Sequence, residues 1–97
     1  MTTLKMTEEE VDTIDLNEID ISDALLKKLV VFNDDVNTFE HVIETFVEIL
    51  KHSEEQAYQC ALIIHTVGKC EVKEGTLQQL NPFKQAICER GIDARIL

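Results

Sequence analysis

The chain has 97 residues, 44% of them hydrophobic, which suffices for one modest core and leaves nothing for a second. Its 19 Asp and Glu against 9 Lys and Arg give a formal charge of −10. That charge argues against nucleic acid, whose phosphates need Lys and Arg, and against anionic membrane surfaces. Partners should carry positive groups or be indifferent to charge. No apolar run approaches the roughly 18 residues of a bilayer span, and the chain begins acidic where a signal peptide is basic and then apolar, so a cytoplasmic protein is expected. Cys60, Cys70 and Cys88 are odd in number, lack CxxC spacing and have apolar neighbours, as expected of reduced core residues.

Residues 1–27 hold eight Asp or Glu against Lys5 and Lys27. Val11, Ile14, Leu16, Ile19, Ile21, Leu25 and Leu26 keep neither the helical nor the strand period, which predicts a flexible acidic extension, with a short helix from Ser22 to Lys28. A free arm of that length reaches roughly 30 Å. It reads either as a solubilising leader or as an arm that engages a partner. Residues 28–97 form the folded domain.

Leu29, Val30, Val31 and Phe32 make a β-branched and aromatic run too short for a helix, hence a buried strand. The chemistry then switches within one residue. Asn33, Asp34 and Asp35 favour turns and present one amide and two carboxylates at the strand's end. Asn37 is a suitable N-cap, with Glu40 three residues on to complete a capping box. The two aspartates also suit the positive end of that helix without any ligand. Phe39, Val42, Ile43, Phe46, Val47 and Leu50 repeat at the spacing of an amphipathic helix, which Lys51 and His52 end. Ser53 with Gln56 opens a second helix to about Val67, closed by Gly68, with Ala57, Cys60, Ala61 and Ile64 on one face and His65 at its edge. Cys70 to Lys73 alternate as a strand and Gly75 turns the chain. Thr76 with Gln79 can cap one turn, but Asn81 and Pro82 form a cleaner N-cap and N1 pair, predicting a third helix over Pro82–Arg90 closed by Gly91. Ile92, Ala94 and Ile96 alternate with Asp93 and Arg95 as a last strand. The order β-α-α-β-α-β implies an α+β domain: a three-stranded, largely antiparallel sheet with three helices packed on one face.

The hairpin of the first two helices returns His65 toward Asn33, Asp34 and Asp35. FNDDVNTFEHVIE, a capped helix and then IIHTVGK resemble the ClpS family of adaptors for ATP-dependent Clp proteases. The likeness covers Leu29 to about Lys69 well and the last third weakly. The resemblance implies N-degron recognition, in which proteins beginning with a large hydrophobic residue are held and handed to a AAA+ unfoldase of the ClpA or ClpC type. By position it assigns Asn33, Asp34, Asp35 and His65 to the α-amino group, and Asn37, Phe39, Val42, Ala61, Ile64 and Ala94 to the side-chain pocket. Where the family usually has Thr, Met and Met, this chain has Asn37, Phe39 and Ala61. Ala61 should leave room at the pocket floor beside Ile64, and Phe39 should lean over the mouth as a bulkier gate. Docking on the unfoldase is implied between the second strand and third helix, where Gln78 replaces an acid and Lys84 has no clear counterpart.

The chemistry agrees independently. An α-amino group, with a pKa of about 7.7 to 8.0, is mostly charged at neutral pH, and its three donors suit carboxylates, an amide oxygen and an imidazole nitrogen. No nucleophile stands in an elbow motif, and HExxH or clustered Cys and His ligands are missing from the sequence, so neither an enzyme nor a metal or cofactor is expected. The remaining alternative is a generic interaction domain similar to the C-terminal domain of the ribosomal stalk protein, which shares the plan but uses a basic face.

Overall fold

A computed structural model describes residues 25–97. Six elements run β1 (Leu26–Phe32), α1 (Phe39–Leu50), α2 (Glu54–Val67), β2 (Lys69–Thr76), α3 (Leu77–Glu89) and β3 (Asp93–Ile96). β1 lies in the middle of an antiparallel sheet of order β2-β1-β3, the α+β arrangement the sequence predicts. No helix among the described residues is long and apolar enough to cross a membrane.

The inner face of β1 buries Leu29 and Val31 completely. Phe46 and Leu50 of α1, Ala57 and Ile64 of α2, Leu80 and Ile87 of α3 and Ala94 of β3 pack onto it. The outer face is covered by long side chains: the Arg95 guanidinium lies 4.7 Å from the centre of the Phe32 ring, and Lys28 pairs with Glu71 at 3.5 Å. Thr45 enters the core because its hydroxyl donates to the His41 carbonyl at 2.8 Å. His52, stacked edge-on to Phe46, has a buried Nδ1 without a hydrogen-bond partner, and burial lowers its pKa.

Several boundaries differ from the sequence reading. β1 begins at Leu26, so Leu26–Lys28 is strand and not the end of a helix; the rest of that expected helix, and residues 1–24, lie outside the described residues. The reason is β2, whose eight residues supply Thr76, Gly75 and Glu74 as partners for Leu26, Lys27 and Lys28. Gly75 accordingly sits inside the strand and does not turn the chain. A Cβ there would stand 2.8 Å from Gln79 Oε1, the atom that accepts from the Thr76 amide at 2.9 Å, so a side chain at this position would have to displace the Gln79 end of the cap. Cys88 is exposed, its thiol directed to the Ala94 carbonyl, whereas Cys60 and Cys70 are half-buried against the core as expected.

Of the caps expected for the first two helices, the first moves by one residue and the second is found at Ser53. Thr38, not Asn37, caps α1, its hydroxyl accepting from the His41 amide at 3.1 Å. Ser53 caps α2 by accepting from Gln56 at 3.0 Å, one half of the expected box. Lys51 and Gly68 close these helices in left-handed conformations, φ 61° and 109°.

α3 starts five residues before Pro82. Thr76 and Gln79 form a complete reciprocal capping box, and this signal outcompetes Asn81-Pro82 because it lets Leu80 enter the core, fully buried. Pro82 is then interior, where it removes the hydrogen bond that would reach the Gln78 carbonyl. Pro82→Ala should therefore stabilise the domain by about 1 to 2 kcal/mol, the restored bond outweighing the gain in unfolded-chain entropy. Urea unfolding checks it: the midpoint should rise at constant slope, and an unchanged or lower midpoint refutes the cost assigned to the missing helical bond.

Candidate functional site

The site begins where β1 ends. The Asn33 amide donates to the Gly68 carbonyl at 2.8 Å, which seats the end of β1 against the C-terminus of α2 and so brings the Asn33–Thr38 loop beside His65. Asp34 then organises the loop from within. Its Oδ1 accepts from the amides of Val36 and Asn37, both at 2.9 Å, and its Oδ2 accepts from Asn37 Nδ2 at 2.8 Å. These bonds, the Asn37 amide foremost, hold the carboxyl below the usual carboxylate range. Asn37 Nδ2 also donates to the Gly91 carbonyl at 2.7 Å, and His41 Nε2 contacts the Arg90 carbonyl at 2.9 Å, so loop and helix start are both tied to the end of α3. Asn37 is thereby committed sideways, and this is why the cap passes to Thr38.

Between this loop, the first turns of α1 and the last turns of α2 opens a cavity of about 290 Å³. Asn33, Asp34, Asp35 and Asn37 line one side and His65 the other, while Phe39, Val42, Ala61 and Ile64 form its apolar part. Nine of the ten residues singled out in the sequence thus surround one cavity. Ala94 does not: paired with Val31 on the inner face of the sheet and 2% exposed, it is core. Thr38 lines the cavity without having been singled out. Its signal was its place in NTFEH as an alternative cap to Asn37, a choice that local sequence leaves open. A smaller void of about 20 Å³ continues behind the loop toward Ile92.

The lining contains two carboxylates and neither Lys nor Arg, so the cavity favours a cation at its polar end. Three of the roughly four lone-pair positions of the Asp34 carboxylate are used by its own loop. Asn33, Asp35 and His65 are exposed and can meet a ligand from outside. The lining holds no Cys or Ser, and the Thr38 oxygen serves as a cap, so no activated nucleophile faces the cavity. Among the described residues, no cluster of three or more His, Cys, Asp or Glu could hold a metal ion.

Comparison with known proteins decides the family. The profile described as "ATP-dependent Clp protease adaptor protein ClpS" matches residues 25–92. The chain belongs to the ClpS family. That family is one of adaptors, distinct from the protease they serve. Among solved structures, the Agrobacterium tumefaciens ClpS2 bound to L-phenylalaninamide is similar, with a TM-score of 0.64 and 18% sequence identity over 74% of this chain and 94% of that one. At that identity the likeness concerns the fold. No curated protein matches the chain in sequence.

The loop clamp makes a pH prediction. Asp34 is depressed in the folded state, so it contributes stability that is present above its unfolded pKa of about 3.9 and is lost as pH falls through its lower folded value. Asp34→Asn should lower stability at neutral pH and flatten the acid limb of the stability curve below about pH 4. The check is thermal unfolding from pH 2 to 7; an acid limb identical to the parent's would rule the clamp out.

Proposed function

We propose that the protein is an N-degron adaptor, which holds proteins beginning with Leu, Phe, Tyr or Trp and delivers them to a Clp AAA+ unfoldase of the ClpA or ClpC type. The observation that carries this reading is a single cavity with an acidic, hydrogen-bonding end and an apolar end, in a chain of the ClpS family. At about 290 Å³ it lies at the lower limit of ligand pockets, the size for one side chain and its amino group. A charged α-amino group would meet Asn33, Asp35 and the ring of His65, with Asp34 adding its charge and one remaining lone pair. The first side chain would lie against Val42, Ala61 and Ile64, a burial that contributes about 1.5 to 3 kcal/mol. The phenylalaninamide bound by the Agrobacterium relative joins just these two chemistries, an amino group and a large apolar side chain.

The central test is a titration with fluorescent peptides. N-acetylating a Phe-initiated peptide should weaken binding at least about tenfold, and Asn33→Ala and His65→Ala should each reproduce most of that loss. Equal affinity for the free and acetylated peptides would falsify the reading and favour a generic interaction domain. In the same assay Phe39, acting as a gate over the pocket, should exclude branching at the β-carbon: peptides starting with Ile or Val should bind at least about tenfold more weakly than Leu, Phe, Tyr or Trp. Phe39→Ala should relax that exclusion, and Ala61→Met should penalise Trp first, overpacking typically costing roughly 1 to 3 kcal/mol. An unchanged rank order in both variants removes these two residues from the pocket.

We assign to residues 1–24, the acidic extension less the residues that lead into and form β1, a role in delivery, not in holding the degron. The stretch is acidic and unpatterned, and long enough to reach a partner's pore. A protein starting at Leu25, which keeps all of β1, should bind the peptides as the parent does and yet fail to promote degradation of a degron-tagged substrate by the cognate unfoldase and protease. Delivery at the parent rate, or loss of peptide binding, would each overturn one half of this assignment.

A further inference from the structure

The Phe39 ring is flanked on both sides by rings of α2. Its centroid lies 5.4 Å from that of Tyr58, the planes at 84°, and 6.5 Å from that of His65, at 79°. Both are edge-to-face pairs, the arrangement that aromatic quadrupoles favour. Tyr58 and His65 are seven residues apart, two helical turns or about 10 Å along the axis, so the Phe39 ring lies over the turn between them, at the level of Ala61. Ala61 is 2% exposed although its own side chain is a single methyl group, so other groups cover it. Phe39 on α1 and Ala61 on α2 both line the cavity.

Tyr58 differs from its neighbours in this row. It is 46% exposed, belongs to the solvent side of α2, and does not line the cavity. Its contact with Phe39 is thus its route to the site. Phe39, in the first turn of α1, has the Tyr58 ring on one flank; without it, that flank opens to water and the Phe39 ring gains room to swing outward along α2. The pocket mouth would widen in the direction in which a β-branched side chain needs space.

We propose that Tyr58 is a positioning residue for selectivity, whose ring pins Phe39 against His65 and so sets the width of the pocket mouth without touching the ligand. The inference rests on the N-degron reading above. It assigns discrimination at the first substrate residue to an exposed tyrosine outside the pocket.

The test compares the parent, Tyr58→Ala and Tyr58→Phe in titrations with two fluorescent peptides that have free amino ends and differ only in starting with Leu or Ile. The parent should prefer Leu by at least about tenfold; Tyr58→Ala should reduce the ratio to about threefold or less, chiefly through tighter Ile binding; Tyr58→Phe, which keeps the ring, should stay within about twofold of the parent ratio. Thermal unfolding of each variant establishes that it is folded, as the exposure of Tyr58 leads one to expect. An unchanged ratio in Tyr58→Ala overturns the positioning role while leaving the adaptor reading intact. So does equal weakening of both peptides, the signature of lost packing alone, and so does loss of discrimination in Tyr58→Phe. A parent that binds Leu and Ile alike removes the gate and Tyr58 with it; a parent that binds neither overturns the adaptor reading and this inference together.

Discussion

The carboxylate of Asp34 fixes the geometry on which the site depends. By accepting from two backbone amides and one side-chain amide of the next three residues, it makes a compact loop of a segment that follows directly on the central strand. Asn37 is the hinge of this arrangement, because one nitrogen serves both Asp34 and the Gly91 carbonyl. Once Asn37 is spent in this way, Thr38 must cap α1, the helix starts at Phe39, and the helical period sends Phe39 and Val42 to the same cavity. One carboxylate thus sets where the helix begins and hence which side chains meet a ligand.

The two aspartates of the loop divide the work. Asp34 faces inward and is satisfied by donors that carry no charge, so its negative charge stays in place at neutral pH. Asp35 is exposed at the cavity edge. A cation entering the polar end therefore meets one carboxylate held by its own loop and one open to solvent, with no Lys or Arg in the lining to compete. At the apolar end, Ala61 and Ile64 belong to a helix capped at both ends, by Ser53 and by the left-handed Gly68.

Much of this was legible in the sequence because the governing interactions are local. An apolar run broken by Asn-Asp-Asp, a helical period from Phe39 and a serine-capped second helix ending at glycine each depend on residues within a few positions of one another. What was not legible depends on distant partners. Asn37 and Thr38 are both competent caps, and a carbonyl 54 residues away decides between them. The strand from Leu26 is extended by partners in β2, against a weak local pattern. Asn81-Pro82 is a stronger start signal than Thr76-Gln79 until the burial of Leu80 is counted. Tyr58 was passed over because it lies off the buried stripe of α2; the trace it leaves is a spacing of three and then four residues through an alanine to His65, opposite an aromatic at the head of α1.

The bond from Asn37 to Gly91 has a consequence for the order of folding. β1 comes first among the described elements, yet its neighbours are β2, after two helices, and β3, at the end of the described chain. Closing such long loops costs entropy before the contacts repay it, so these pairings form late relative to the α1–α2 hairpin. The loop that lines the cavity is held on one flank by Gly68 and on the other by Gly91 and Arg90. A chain still emerging from the ribosome, complete only as far as α3, would have the acidic loop and the apolar helix faces but lack the second anchor. The loop thus gains its second anchor only when the residues that follow α3 have docked, and a molecule lacking them would lose the shape of the cavity before it lost helix content.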